Sequence, residues 1–252
     1  MTECTVDRKE FLKFIPLFGK DTEDIVLRVK DDEIEATVSQ MTHYLKACMA
    51  AEDCVLGKIA INDLPRLIAF LKANKDDNVT IVQGGLGKIL HVAVGISTLQ
   101  MPSSTYIKSQ KETSIIEQLI ERCQNNMWTK WERFPLEYSG RINSADFVVA
   151  SHMSKVVGER ANCKTDFSVN DNEFVMRAGK GVKAKMFVRV PIIDAKGPST
   201  TATSAYGHWL PDLLQCLPSG EVDIHTGEDT VLILKQEDNF LLLVLDMDYE
   251  ED

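Results

Sequence analysis

The chain has no apolar run near the ~20 residues that a membrane helix needs, so no membrane contact is expected. Its opening, MTECTVDRKEF, lacks the basic-then-apolar layout of a secretory signal, and an intracellular protein is expected. That means the cytoplasm of a prokaryotic or phage-infected cell, or the nucleus in a eukaryote. The six cysteines (Cys4, Cys48, Cys54, Cys123, Cys163, Cys216) form no CxxC pair, and none has a histidine at ligand spacing. This argues against a zinc or disulfide framework. They read as reduced thiols packed as small apolar groups. Positive charge is also short: the formal net charge is −10. A protein that holds nucleic acid by bulk charge alone is disfavoured. One that gathers a few basic residues on one face is not.

The catalytic signatures are missing too. There is no GxxxxGK[ST], no HExxH and no GxSxG. QGGLGK carries glycines, but it joins two strands and reads as a hairpin turn. GKGVKAK reads as a basic loop feeding a strand. The five histidines are spread one per segment. Acid pairs such as Asp31–Asp32 and Asp76–Asp77 sit in turns, where Asp is favoured for backbone reasons. The expectation is no catalytic residue, no cofactor and no metal.

What the sequence does contain is repetition. NDLPRLIAFLKANKDDNVTIVQGGLGKILHVAVGISTLQM and HWLPDLLQCLPSGEVDIHTGEDTVLILKQEDNFLLLVLDM share one plan. Each opens with a Leu-rich amphipathic run, then gives alternating strands and turns, and ends on a Leu-containing strand closed by Met101 or Met247. Two further stretches, beginning DRKEFLKFIPLF and NSADFVVASHMSKVV, follow the same helix-then-strands order. The pattern repeats and the letters do not.

At ~100° per residue, Phe11, Phe14, Ile15 and Phe18 share one helix face, with Lys9 and Lys13 opposite. Pro16 is expected to end or kink that helix. Leu64, Leu67, Ile68 and Leu71 share a second face, with Arg66 opposite and Lys72 on its flank. Asn62 or Asp63 would cap it, and Pro65 sits in its first turn. In the third helix Phe147, Ala150, Ser154 and Val157 face inward, His152 and Lys155 outward, and Ser144 caps. The fourth packs Trp209, Leu210, Leu213 and Leu217 and turns out only Asp212 and Gln215, with no positive charge. DIVLRVKDD, KAKMFVRVPI and VDIHTG alternate as strands. The polar stretch between the second and third copies, longer than an ordinary loop, holds the predicted helix SIIEQLIERC. The chain thus divides into an N-terminal domain 1–104, a connector 105–135 and a C-terminal domain 136–252.

Four helix-plus-strands units in two similar domains resemble the DNA sliding clamps, which include the proliferating cell nuclear antigen, T-even phage and bacterial types. The final stretch, WLPDLLQCLPSGEVDIHTGEDTVLILKQEDNFLLLVLDMDYEED, looks like the end of a clamp, and INSADFVVASHMSKVV like the helix that opens a clamp's second domain. The resemblance implies an α+β clamp fold whose copies close head to tail into a ring, as a homotrimer for two-domain chains. It implies a DNA polymerase processivity factor that encircles double-stranded DNA without sequence specificity and works with a polymerase and a clamp loader. Lys9, Lys13, Arg66, Lys72, His152 and Lys155 would then face DNA. By position, a partner-peptide groove would take Met41, Tyr44 and Leu45 from a first-domain loop and Val231, Leu243 and Leu245 from the C-terminal strands. Ile115 would join from the connector, beside the alternatives Ile116 and Leu119. The ring contact would lie at sheet edges. The competing readings are a monomeric or hetero-ring clamp-fold processivity or checkpoint subunit, and an enzyme on an unrelated α+β fold.

Overall fold

The computed structural model describes residues 1–18, 24–39, 43–103, 109–146, 148–149, 164–170, 172–180, 186–206, 217, 219–228 and 230–243. Two compact units emerge: Met1–Gln40 with Leu45–Ile115, and Met41–Tyr44 with Ile116–Asp252.

The first unit begins with β1 (Thr2–Asp7) and α1 (Arg8–Phe14), followed by β2 (Ile25–Val29), β3 (Glu33–Ser39), β4 (His43–Ala50), β5 (Glu52–Val55) and β6 (Gly57–Ile61). It closes with α2 (Leu64–Ala73), β7 (Asn78–Gln83), β8 (Leu90–Val94) and β9 (Ser97–Met101). Helix α3 (Ser109–Asn125) leads to β10 (Lys130–Trp131), β11 (Phe134–Pro135), β12 (Tyr138–Asn143), β13 (Lys164–Asn170), β14 (Glu173–Lys180) and β15 (Met186–Pro191). The last elements are β16 (Ile193–Lys196), β17 (Thr200–Tyr206), β18 (Glu221–Thr226), β19 (Leu232–Gln236) and β20 (Asn239–Leu243).

Period-two patterning makes these strands. Thr2, Cys4 and Val6 are buried along β1, Leu90, Val92 and Val94 along β8, and Val222, Ile224 and Thr226 along β18. QGGLGK does join β7 to β8, with Gly85 and Gly87 at φ 136° and 78° supplying a backbone that other residues resist.

The two halves share one topology. The first unit contains the strand orders β5-β1-β7-β8-β9 and β4-β3-β2-β6; the second contains β16-β12-β18-β19-β20 and β15-β14-β13-β17. A constant offset in strand number converts one set into the other. The likeness reaches single residues. β1 meets β5 through Glu3↔Val55 and Thr5↔Glu52 with a bulge between, and β12 meets β16 through Ser139↔Lys196 and Arg141↔Ile193 with a bulge at the same place. Each bulge carries an aspartate in the left-handed region, Asp53 at φ 50° and Asp194 at φ 53°. Aspartate tolerates that conformation better than most side chains.

The helices start and stop where their side chains dictate. Asp7 caps α1, accepting from the Lys9 and Glu10 N–H groups at 2.9 Å each. These bonds, that to Glu10 first, hold its carboxyl below the usual range. Asp63, rather than Asn62, caps α2 by accepting from Arg66 N–H at 2.9 Å. Pro16 turns the chain out of α1 into a 3-10 turn over Ile15–Leu17. Phe11, Phe14, Ile15 and Phe18 are buried, as are Leu64, Leu67 and Leu71, while Ile68 is only half-buried. At the third predicted helix, the Asn143 side chain accepts from Ala145 N–H at 2.9 Å. The Ser144 hydroxyl accepts from Gly220 N–H at 3.0 Å. Asn143 thus holds the position that Asp7 holds in the first unit.

One polar knot sits in the first unit. Glu35 on β3 is buried, with Lys30, Lys46 and Arg28 each at 3.0 Å. Burial alone would push its carboxyl up, but hydrogen bonds from Lys46 and Lys30 outweigh this and hold it down.

Candidate DNA-facing and partner-docking surfaces

Helices α1 and α2 lie together in the first unit, joined by Arg8. Its backbone N–H donates to Asp77 O at 2.6 Å, and its guanidinium to Asp76 O at 2.7 Å and Leu71 O at 3.4 Å. The cation thereby closes the carbonyl end of α2. The apolar faces point into the unit, so Lys9, Lys13, Arg66 and Lys72 are left exposed. Three of these cations already face carboxylates: Lys9 with Asp77 at 3.3 Å, Lys13 with Glu10 at 2.7 Å and Arg66 with Asp63 at 3.0 Å. All six side chains are well exposed, so each pair is worth only ~0–1 kcal/mol and exchanges readily for another anion. The Glu10–Lys13 and Asp63–Arg66 pairs are i,i+3 neighbours and could have been read from the sequence; Lys9–Asp77 depends on the fold. His152 and Lys155 lie outside the described residues.

A second surface forms within the second unit. Tyr44, Cys123, Trp131, Leu136, Val231, Ile233 and Phe240 make one buried cluster, with Ile116, Leu119, Ile120 and Trp128 packed on it. Tyr44 and Val231 are thus brought together. Leu45, the next residue along β4, points the other way and is fully buried in the first unit. Ile115 is 60% exposed, and its neighbour Ile116 makes the contact. Leu243 pairs with Leu232 in the β19–β20 ladder; its side chain, and all of Met41 and Leu245, lie outside the described residues.

Aromatic rings organise this surface. Tyr44 meets Phe240 edge-on, centroids 6.0 Å apart. Trp128 stacks on Phe240 at 5.7 Å and on His225 at 5.6 Å, with Lys235 Nζ 5.8 Å from its ring centre. Burial lowers the His225 imidazole below its ordinary value. Trp128 reaches this position through an unusual helix end. Its N–H donates to Cys123 O at 3.0 Å, and both Met127 and Trp128 are left-handed, at φ 52° and 59°. Such backbone costs on the order of 1–3 kcal/mol per residue and is rare for bulky side chains. Beside it lies a cavity of about 370 Å³ lined by Leu119, Arg122, Cys123, Asn126, Lys130 and Glu132. Burial raises the Cys123 thiol to about 11, so it stays protonated at neutral pH. Sequence reading missed Trp128, His225 and Phe240; two tryptophans close together in an otherwise polar connector were the available signal.

Among the described residues, no three His, Cys, Asp or Glu side chains are grouped to hold a metal, and no helix is long and apolar enough to cross a membrane.

No family model and no curated protein matches the sequence. Solved structures match the fold. Proliferating cell nuclear antigen (PCNA) from Thermococcus kodakaraensis aligns over 97% of this chain and 99% of its own, with a TM-score of 0.67 at 18% identity. A. fulgidus PCNA, solved with the C-terminal region of FEN-1 bound, aligns over 100% of both chains with a TM-score of 0.71 at 11% identity. A DNA polymerase III beta subunit from Eubacterium rectale aligns over 98% of this chain and 66% of its own, with a TM-score of 0.71 at 9% identity. Two halves of one topology, matched along their whole length by these structures, give this chain the α+β fold of the DNA sliding clamps.

Proposed function

We propose that this protein is a sliding clamp: a homotrimeric ring that encircles double-stranded DNA and tethers a DNA polymerase to it. The observation that carries the reading is the repeated topology of the two halves, since a closed ring is built from near-equivalent arcs. The exposed cations of α1 and α2 supply the DNA-facing charge. Lys9, Lys13, Arg66 and Lys72, with His152 and Lys155, meet phosphates as exchangeable contacts, which suits sliding rather than base readout. The intramolecular carboxylates keep that face nearly neutral until DNA enters, so grip is weak and passage free.

Open sheet edges support ring closure. Among the described residues β9 pairs only with β8, and β15 only with β14. Unpaired edges call for a partner strand, and Phe187 on β15 stands 61% exposed. The surface around Tyr44 and Val231 accepts apolar peptides from polymerase, clamp loader and other replication proteins. The A. fulgidus structure with the FEN-1 C-terminal region gives the precedent.

Two measurements test this. Light scattering over a concentration series should give about three times the 28.3 kDa chain mass. A monomer at every concentration defeats the ring. Protein assembled on circular DNA should then be lost when the circle is cut, since only encirclement depends on ends; equal retention on linear DNA defeats sliding.

A further inference from the structure

We infer that the segment from Ile116 to Trp128 is a resident plug on the docking surface of the second unit, and that a partner peptide gains its site by exchanging with it. The inference rests on reading that surface as a docking site. The surface itself is the buried set Tyr44, Val231, Ile233 and Phe240. What covers it belongs to the chain: Ile116, Leu119 and Ile120 from α3, and Trp128 beyond its end.

Three observations mark the cover as removable. Ile116, Leu119, Ile120 and Trp128 are only half-buried, and Cys123 alone of the segment is buried in the cluster. Gln118, Glu121 and Gln124 on α3 are exposed, so the helix keeps a solvated face when lifted. The plug's own C-terminal turn is also loosely packed, because a cavity of about 370 Å³ separates Leu119, Cys123 and Asn126 from Lys130 and Glu132. The backbone adds a fourth point. Trp128 reaches His225 and Phe240 through two successive left-handed residues, and that strain is released when the turn opens. The displacing partner is accordingly a peptide with an aromatic anchor, which takes the place of the Trp128 ring beside Lys235.

The plug can be tested with its own sequence. A labelled synthetic peptide of residues 115–131 is titrated into the full chain and read by anisotropy. Trp128→Ala should bind it about tenfold more tightly than wild type, because the ring's place beside His225 and Phe240 is vacated and the plug is weakened. Met127→Gly removes backbone strain, so the plug should hold better; amide exchange over 116–128 should slow about fivefold, equivalent to about 1 kcal/mol. In wild type, those amides should exchange faster than those of β19. The inference is overturned if folded Trp128→Ala binds no better than wild type, or if 116–128 exchanges as slowly as β19. Should Trp128→Ala fail to fold, the exchange comparison decides alone. Loss of retention on circular DNA in wild type would defeat the clamp reading and leave these results standing, so the two failures are distinguishable.

Discussion

Trp128 lies over Phe240 with ring centroids 5.7 Å apart and planes 29° apart, and His225 stacks on the same indole. A residue just past a connector helix is thus locked to two strands about a hundred positions further along the chain.

That stack makes stability depend on pH. Burial lowers the His225 pKa in the folded state, while Asp223 raises it and Lys235 lowers it. The unfolded chain therefore takes up a proton first as pH falls below about 6.5. The contribution is level above that value and becomes destabilising as pH drops toward the folded value. The midpoint of tryptophan-monitored unfolding should fall as pH drops below about 6.5. His225→Phe should remove that part of the slope.

Glu35 gives the opposite case. Its folded pKa is held down, so its stabilisation is present above the unfolded value near 4.5 and is lost as pH falls through the folded one. Glu35→Gln should cost about 2 kcal/mol at neutral pH, because Lys46 and Arg28 lose this buried carboxylate and Lys30 keeps only Glu33. Denaturant unfolding of the variant against wild type checks it.

Removing a carboxylate that pairs with an α1 cation should strengthen DNA contact. Asp77→Asn frees Lys9, and the affinity measured in low salt should rise a few-fold. Lys9→Gln and Arg66→Gln should each lower the log–log salt slope by about one per chain. An unchanged slope in both would place these residues away from DNA.

Phe187→Arg on β15 should reduce the apparent mass in light scattering toward that of a single chain, with circular dichroism unchanged. A normal assembly would move the ring contact off this edge.

The sequence was most legible where one segment decides its own structure. The buried faces of α1 and α2, a cap at Asn62 or Asp63, the turn at Pro16 and the alternating strands all follow from local spacing. The repeated helix-and-strands plan was legible too, because topology reuses the same periodicities. The cluster proposed as a docking surface was legible only in part. That Tyr44 and Val231 share one cluster was read by position, but the choice of Ile116 over Ile115 depends on the phase of a helix against distant strands. The place of Trp128 depends on a left-handed turn that no periodicity encodes. The Lys9–Asp77 pair likewise needs α1 brought beside the turn after α2.

The bulge at Asp53 has one more consequence. It deforms β5, at one end of the sheet β5-β1-β7-β8-β9, while β9 at the other end pairs with β8 in unbroken register. A sheet blunted on one side and regular on the other can be extended in one sense only. Each copy offers only β9 from this sheet, so contacts that repeat head to tail have to set β9 against an unlike edge such as β15.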